Sequence, residues 1–430
     1  MEKIVFVKIK QPWCYNPYSD PPLGLLSVAA QSKRLGLDTI LLDQAHEKEI
    51  PPADYYGLSA TTLEYPVALE QARRIKEVNP DAKIIAGGVH FDVLPEEYWK
   101  QEIKNTPIDI VCRGEGEGTL APAIESLRAG NTKQVISRTE LLDLDTLPLP
   151  ARELLDKEKY FVPGKTITGM DVGGNSSTIM VSRGCYRNCS FCASPALHHR
   201  KVRFRSLENT LVELEHLRQE YGVAALRWQD DNIPLNLKKY PALVPFLEKL
   251  GIYSRGSART DAINPQMLDL MWKAGFREIG FGVEAAEQQV LNAVSKGTTI
   301  EQNRKALKDT KERDFKTRAF IMTGLPGETR DSGDRMIEFL QDTQPDVVTL
   351  TSFIPLPGSD IYMHPEKYGV KILTHDWSKY DIMIKWNAGT AWTHSNGLTL
   401  DEMETNREKL KKYIFNQGIC NVPVYNKRYG

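Results

Sequence analysis

The sequence predicts an α/β protein built from two parallel-sheet domains and a short C-terminal cap. Two observations predict this class. Short apolar strands alternate with amphipathic helices over residues 1–140, and the alternation returns over residues 177–374. Such an alternation folds into a parallel sheet covered by helices. The Pro- and Gly-containing stretch 141–176 is predicted to be a linker, and residues 375–430 are predicted to form the cap.

The predicted first domain is a small doubly wound sheet. Its first strand is Lys3–Lys8, and Pro21 opens a helix that Gly36 closes, because proline suits the first helical turn and glycine the position after the last. A second helix covers Pro66–Val78. The other predicted strands are Thr39–Asp43, Tyr56–Ala60, Lys83–Gly87 and Ile108–Cys112. Ligands of such sheets bind where the strand order reverses.

The predicted second domain contains six strand–helix units. One helix spans Leu207–Tyr221. The predicted strands are Thr178–Ser182, Ala225–Gln229, Tyr253–Ala258, Glu278–Val283, Thr317–Thr323 and Val347–Phe353. Six such units form a partial (β/α)6 barrel, in which functional residues lie at the carboxyl ends of the strands. The cap carries a charged helix near Leu400–Ile414.

The composition argues against a nucleic-acid or membrane partner. The 430 residues are 41% hydrophobic and 26% charged, and 55 Lys and Arg balance 56 Asp and Glu for a net charge of −1. This balance offers no electrostatic attraction to nucleic acid or anionic lipid. No apolar run approaches the roughly 20 residues that span a bilayer, and residues 1–10 lack a signal-peptide layout. We expect a cytoplasmic protein.

Three cysteines follow the first strand of the second domain as C-x3-C-x2-C, at Cys185, Cys189 and Cys192. Three thiolates on one loop can bind three irons of a cubane and leave the fourth iron open for a substrate or cofactor. Structural zinc is the alternative. It needs four protein ligands, and His198 and His199 are the nearby candidates because no second cysteine pair exists. The remaining cysteines are scattered: Cys14, Cys112 and Cys420.

The loop resembles the signature of the radical S-adenosylmethionine (SAM) superfamily, CxxxCxΦC, with the aromatic Phe191 before the last cysteine. The resemblance covers Thr178–Thr374. It implies a [4Fe–4S] cluster whose open iron is chelated by the amino and carboxylate groups of SAM. One electron then splits the sulfonium and yields a 5′-deoxyadenosyl radical. A small-molecule substrate and an electron donor such as flavodoxin or ferredoxin are the implied partners.

The same resemblance suggests residues that bind SAM. Glu284 matches the position after strand four that binds SAM in related members, and Arg318 on strand five can fork onto the SAM carboxylate. Asp230, or its neighbour Asp231, ends strand two, where the amino group is contacted. Simpler alternatives are a helix N-terminal acid at Glu284, a surface salt bridge at Arg318 and a helix cap at Asp230.

Three further residues complete the implied cofactor site. Ser257 and Arg259 end strand three and face the same cavity. Gly324 lies in a Gly-Leu-Pro-Gly-Glu-Thr turn that matches the superfamily, where glycine lets the backbone approach adenosine closely.

The first domain resembles the cobalamin-binding (B12-binding) domain that precedes many radical SAM enzymes. The matching segments are 21–25, 57–62, 86–90 and 113–118. Ser59 and Thr61 could hold the nucleotide tail, and Gly87 and Gly88 would let a flat ring lie on the backbone. The implied cofactor is cobalamin, and the alternative is a domain that keeps this fold without it.

The pattern departs from corrinoid proteins in one respect. No D-x-H-x-x-G loop is present, so no histidine is assigned as a cobalt ligand. His46 and His90 are interpreted as surface or core histidines.

Three functions are compatible with these features. The first is a cobalamin-dependent radical SAM methyltransferase acting on a small, natural-product type molecule. The second is a non-methylating radical SAM dehydratase, deoxygenase or rearrangement enzyme whose B12-like domain is empty. The third, a noncatalytic iron–sulfur or corrinoid carrier, is disfavoured by the set of candidate SAM-binding residues.

Overall fold

The structure is a computed structural model that describes residues 1–11, 16–45, 49–163, 166–381, 390–394 and 397–419. Cys14, His46 and Cys420 lie outside these ranges. The chain divides into two compact units, Met1–Tyr160 with Ala196–His198, and Phe161–Pro195 with His199–Gly430. Within the described residues, no helix combines the length and apolar character needed to cross a bilayer.

The first unit contains a six-stranded parallel sheet. Its strands are β1 (Lys3–Lys8), β2 (Asp38–Asp43), β3 (Tyr55–Ser59), β4 (Lys83–Gly87), β5 (Ile110–Arg113) and β6 (Gln134–Ser137). Its helices are α1 (Leu23–Arg34), α2 (Tyr65–Val78), α3 (Val89–Val93), α4 (Glu96–Glu102), α5 (Gly116–Arg128) and α6 (Lys157–Tyr160). The strand order β2-β1-β3-β4-β5-β6 confirms the doubly wound prediction and reverses between β1 and β3.

The first unit extends beyond residue 140, where the first domain was expected to end. Strand β6 precedes the predicted linker. Its residues are half-buried or exposed, so no apolar run in the sequence indicates a strand there. Part of the predicted linker also belongs to this unit. The Ala151 amide donates to the Leu26 carbonyl at 3.1 Å, and the Tyr160 hydroxyl bonds to Asp43.

The second unit contains a curled six-stranded parallel sheet, as predicted. Its strands are β7 (Asn175–Ile179), β10 (Val223–Trp228), β11 (Tyr253–Ala258), β12 (Phe276–Glu284), β13 (Lys316–Thr323) and β14 (Val347–Ser352), in that spatial order. Two short antiparallel pairs accompany it: β8 (Ser182–Arg183) with β9 (Arg203–Phe204), and β15 (Val370–Ile372) with β16 (Trp392–His394). This is the partial (β/α)6 barrel.

α-Helices alternate with the strands of this sheet along the chain. They are α7 (Ser194–Leu197), α8 (Leu207–Tyr221), α9 (Ile233–Lys239), α10 (Leu243–Leu250), α11 (Pro265–Lys273), α12 (Gln288–Ala293), α13 (Ile300–Lys311), α14 (Ser332–Thr343), α15 (Asp360–Met363) and α16 (Leu400–Asn416). Along β12, Ile279, Phe281 and Val283 are fully buried. Because side chains alternate along a strand, Glu278, Gly280 and Gly282 lie on the opposite face, and further polar groups follow at the carboxyl ends.

The predicted C-terminal cap adds a helix to the outer layer of the barrel. Helix α16 packs against α14 and contacts β13 and β14. A Cβ at Gly333 would lie 3.0 Å from Asn406 Oδ1, so the two helices approach closely. The Asn406 amide also donates to the Thr329 carbonyl at 2.9 Å. The helix therefore supports the turn after β13.

Candidate active site

Asp230 anchors the start of the cysteine loop. Its carboxylate is fully buried and accepts from the amides of Val181 and Ser182 at 3.1 and 2.5 Å, the Ser182 hydroxyl at 2.6 Å and Asn236 Nδ2 at 2.9 Å. Burial raises the pKa of Asp230, and the hydrogen bonds from these donors oppose the rise. Asp230 was expected to contact SAM, but these bonds use its oxygens to tie β7 and β8 to the end of β10. These bonds position the start of the loop, and contact between Asp230 and SAM stays a prediction.

Two distant segments hold the centre of the loop. The Ser190 amide donates to the Val294 carbonyl at 2.9 Å, and the Ile361 amide donates to the Ser190 carbonyl at 3.0 Å. Within the loop, the Cys192 amide bonds to the Cys189 carbonyl at 3.0 Å. The backbone that carries the thiols is thus shaped by hydrogen bonds on both sides.

The three cysteines are free thiols with nearby N–H donors. Arg259 Nη1 lies 3.7 Å from Cys189 Sγ, and the Ser194 amide lies 3.4 Å from Cys192 Sγ. Burial raises the pKa of Cys185, and that of Cys192 to about 11. Metal binding displaces such protons, and N–H donors then stabilise the thiolates.

The loop chemistry fits a cubane cluster. Across the described residues, no group of three His, Cys, Asp or Glu side chains is placed to hold a metal ion. A cubane places each thiolate on a different iron, so its ligands do not converge on one ion. Three thiols with N–H donors and no fourth protein ligand match that requirement.

Asp231 lies beside the cysteines. Its carboxylate accepts from the Gly184 amide, is accessible to solvent, and has a pKa raised by the surrounding protein. Burial is the largest cause of the raised pKa of Cys185 and Cys192, and the negative charge of Asp231 is a smaller cause in the same direction. Of the two adjacent acids, Asp231 is the one whose carboxylate can meet a ligand next to the loop.

Glu284 forms a buried ion pair at the carboxyl end of β12. Lys296 Nζ lies 2.6 Å from Glu284 Oε1 and 5.8 Å from the ring centre of Phe191. Glu284 itself has a φ of +63°, a left-handed conformation that is uncommon for a non-glycine residue. A Cβ at Gly282 would lie 2.5 Å from Glu284 Oε1, so only glycine leaves space for the pair. The pair places opposite charges beside the aromatic residue of the cysteine loop.

The remaining residues of the predicted SAM site are Ser257, Arg259 and Gly324. Arg259 reaches both Cys189 and the Lys296 carbonyl, the latter at 2.9 Å from Nη2. Ser257 is half-buried and pairs in register with Gly280. Gly324 has a φ of +85°, and its amide donates to Glu328 Oε2 at 2.9 Å. Arg259 thus lies at the cysteines, whereas Gly324 forms a turn closed by a glutamate.

Arg318 does not lie with these groups. Its Nε donates to Glu278 Oε1 at 2.9 Å, and Nη2 lies 3.4 Å from Thr168 Oγ1. The register pairs Arg318 with Gly280, whereas Glu284 pairs with Ile321, three residues further along β13. Three residues of strand correspond to about 10 Å. Arg318 therefore neutralises a buried glutamate nearer the amino ends of the strands, and its contact with the SAM carboxylate stays a prediction.

In the first unit, the carboxyl ends of β3 and β4 carry the predicted cobalamin-binding residues. Ser59 and Thr61 are exposed, and their hydroxyls have no hydrogen-bond partner among the described residues. Gly88 has a φ of +98°, and a Cβ there would lie 2.7 Å from Ser59 Oγ. At Gly87 a Cβ would make ordinary contact with Cys112. Free hydroxyls beside a bare Gly-Gly backbone fit a nucleotide tail under a flat ring.

His90 is a core residue. It is fully buried, its Nδ1 lies 3.1 Å from Thr62 Oγ1, and its ring centre lies 4.3 Å from that of Tyr65. Burial lowers the pKa of His90 to about 3. This environment supports its interpretation as a structural histidine.

Two family models match the chain. The Radical SAM superfamily model covers residues 179–340, which include the cysteine loop, Asp231, Glu284 and Lys296. Residues 179–340 are a Radical SAM domain. The B12 binding domain model covers residues 17–124, which include Ser59 and the Gly-Gly turn. These models imply a [4Fe–4S] cluster, SAM and cobalamin as cofactors.

Several relatives share both domains. An uncharacterized methyltransferase of Pyrococcus horikoshii is 28% identical over 84% of this chain and 81% of its own length. An anaerobic magnesium-protoporphyrin IX monomethyl ester cyclase of Cereibacter sphaeroides is 27% identical over 92% of this chain and 68% of its own. Among solved structures, the radical SAM methyltransferase TsrM of Kitasatospora setae has a TM-score of 0.69 at 16% identity, covering 98% of this chain and 91% of that one. The last similarity supports the fold.

The sequence alone did not single out Lys296 in this radical SAM barrel. Lys296 lies in a loop after α12, twelve residues from Glu284, and its pairing depends on the close approach that Gly282 permits. In the sequence, Lys296 appears only as part of a Lys-Gly pair that follows a short amphipathic helix. Such a pair is common at helix ends, so it does not indicate a functional lysine.

Proposed function

We propose that this protein is a cobalamin-dependent radical SAM methyltransferase that methylates a carbon of a small molecule. One observation carries the proposal. A single chain combines two parts. In its B12-binding domain, the Ser59 and Thr61 hydroxyls have no hydrogen-bond partner among the residues that the structure describes. In its barrel, one loop carries the free thiols of Cys185, Cys189 and Cys192. The relatives named as methyltransferases support this assignment.

Each cofactor has candidate ligands in this chain. The three loop cysteines would hold the cluster, while Asp231 and the Glu284–Lys296 pair would receive the polar groups of SAM. Ser59, Thr61, Gly87 and Gly88 would hold the tail and ring of cobalamin. When bound, the cluster and SAM would supply hydrogen-atom abstraction, and cobalamin would supply methyl delivery.

The residues of the chain orient SAM by charge. Lys296 offers an ammonium for the SAM carboxylate, and Asp231 offers an acceptor for its amino group. Arg259 donates to Cys189 and so favours the thiolate form. An external flavodoxin or ferredoxin would provide the electron, and the expected cytoplasmic location stays a prediction.

Methyl-labelled SAM tests this function without knowledge of the substrate. The full chain is purified anaerobically, reconstituted with iron, sulfide and hydroxocobalamin, and reduced. We expect the label to appear in the bound corrinoid and, separately, 5′-deoxyadenosine to form from SAM. Both products are measured by mass spectrometry.

The Cys185→Ala, Cys189→Ala, Cys192→Ala variant is the control. It should lose its iron and all 5′-deoxyadenosine formation. If the wild-type chain retains no corrinoid and forms 5′-deoxyadenosine equally well without it, the methyltransferase assignment is wrong. A non-methylating radical reaction then takes its place, as the relatives named as cyclases would suggest.

A further inference from the structure

The segment that carries the cysteine loop contains no acidic residue. From Val172 to Leu207 there is neither Asp nor Glu, while the segment holds the six cations Arg183, Arg187, Arg200, Lys201, Arg203 and Arg205. The whole chain has a net charge of −1, so this excess of positive charge is local. The three loop cysteines lie within this segment.

Part of this charge is neutralised within the protein. Arg187 Nη2 lies 2.7 Å from Asp261 Oδ2, and Arg205 pairs with Glu213. Arg200 and Lys201 differ from these. Both are exposed, and neither forms an ion pair with another residue that the structure describes. Their charges are therefore directed to solvent.

The turn that carries Arg200 and Lys201 lies close to the cysteine loop. Strands β8 and β9 pair with Arg183 opposite Arg203. Cys185 follows Arg183 by two residues, and Lys201 precedes Arg203 by two. Paired strands lie about 4.8 Å apart and rise about 3.4 Å per residue. The cysteine loop and the turn of Arg200 and Lys201 therefore extend next to each other from the same end of the β8–β9 pair.

The tip of the cysteine loop is also exposed. Tyr186, between Cys185 and Cys189, is 46% exposed, and the Arg187 guanidinium lies 4.9 Å from its ring centre. Solvent therefore reaches the loop residues between two of the cluster ligands. A protein docked here would lie one loop away from the thiols.

The backbone of the turn has an unusual conformation. His199 and Arg200 have φ values of +50° and +56°, in the left-handed region where glycine is favoured. His199 and Arg200 therefore have a backbone conformation that glycine would adopt more easily. Such outliers concentrate at functional sites.

We propose that this basic loop surface, formed by Tyr186, Arg187 and His199–Lys201, docks an acidic one-electron carrier protein of the flavodoxin or ferredoxin class. The carrier is oxidised by one electron and the cluster is reduced by one. Opposite charges steer such encounters, and the resulting rate enhancement falls steeply with ionic strength. The inference rests on the cluster-binding part of the proposed function and is independent of methyl transfer.

Stopped-flow reduction of the cluster-loaded full chain tests the proposal. The probe is bacterial flavodoxin hydroquinone, whose oxidation is followed by its own absorbance, and sodium dithionite is the comparison reductant. We expect the Arg200→Gly, Lys201→Glu double variant to react with flavodoxin at least tenfold more slowly at low ionic strength. The difference should shrink toward 0.5 M salt, where the screening length is roughly 4 Å. Dithionite should reduce both proteins at the same rate.

A charge reversal at Lys249, an exposed lysine in α10, is the matched control and should leave both rates unchanged. Glycine relieves the left-handed backbone, so Arg200→Gly should melt at or above the wild-type temperature, which excludes misfolding as the cause.

Unchanged flavodoxin rates in the double variant would overturn the proposal. Equal slowing with dithionite would also overturn it, because the residues would then act on the cluster itself. Iron content, measured first, separates these outcomes from a chain that binds no cluster, which would contradict the proposed function instead.

Discussion

Adjacent acids in the active site have different roles. Asp230 is enclosed by four donors, whereas Asp231 is open to solvent beside the thiols. The sequence places both at the end of β10 but does not distinguish them, because consecutive residues at a strand end face opposite sides. Likewise, the importance of Lys296 appears only once Gly282 brings it against Glu284.

The two aspartates provide a matched pair of variants. Asp231→Asn should weaken SAM binding by roughly 10- to 150-fold, since a hydrogen bond to a charged group is worth about 1.5–3 kcal/mol. Its iron content and thermal stability should match the wild type. Asp230→Asn should instead lower the melting temperature and the yield of cluster. Isothermal titration with SAM and iron analysis distinguish the two, and equal SAM affinity in Asp231→Asn would contradict its assignment.

His90 predicts a pH dependence of stability. Its pKa of about 3 lies below the usual 6.5, so the unfolded chain binds more protons than the folded chain between those values. Stability is therefore complete above pH 6.5 and falls as the pH drops, by up to about 1.4 kcal/mol per pH unit. His90→Phe should remove this contribution. Urea unfolding at pH 7.5 and 5.5 should show a smaller pH effect in the variant, and identical slopes would count against a buried neutral histidine.

At the scale of elements, the alternation of apolar and polar residues predicted most strands to within two residues. It succeeded where a strand has buried apolar residues, as in Lys3–Lys8 and Lys83–Gly87. It missed β6, which has no buried residue, because an edge strand needs no apolar run. It placed Arg318 on strand five, but a pattern does not reveal how far along a long strand a site lies.

Arg318 and Glu278 form a buried pair between neighbouring strands. Removing the arginine leaves Glu278 with one charged neighbour among the described residues, Arg255 at 3.8 Å. Arg318→Ala should therefore destabilise the protein by about 3 kcal/mol, the lower end for breaking a buried pair. Its affinity for SAM, measured at a temperature where the variant is folded, should stay at the wild-type value. Arg318→Met with Glu278→Gln should recover part of the stability, and weakened SAM binding in Arg318→Ala would restore the original expectation.

For the whole molecule, each cofactor has its proposed ligands within one compact unit. The cobalamin-binding candidates all belong to residues 1–160, and the cluster and SAM candidates all belong to the second unit. Binding of corrinoid and binding of iron should therefore be separable by mutation.

Ser59→Ala with Thr61→Ala tests this separation. Loss of two neutral hydrogen bonds should weaken corrinoid binding by about 1–3 kcal/mol. Iron content and flavodoxin-driven cleavage of SAM should be retained. Substitution of Gly88 is less informative, because any side chain there would press against Ser59 and Ala60. Corrinoid content by absorbance and iron by chemical assay give the two readouts, and simultaneous loss of both would contradict independent sites.

The hydrogen bonds that hold the cysteine loop bear on how the protein matures. Asp230, the Val294 carbonyl and the Ile361 amide all belong to the polypeptide, so they shape the loop without help from iron. Small zinc domains behave differently, because metal binding and folding are one event there. Here the polypeptide can fold first and receive iron and sulfide afterwards. We therefore expect a molecule that has lost its cluster to the action of oxygen to keep the same scaffold, so that a new cluster can be inserted into the existing chain.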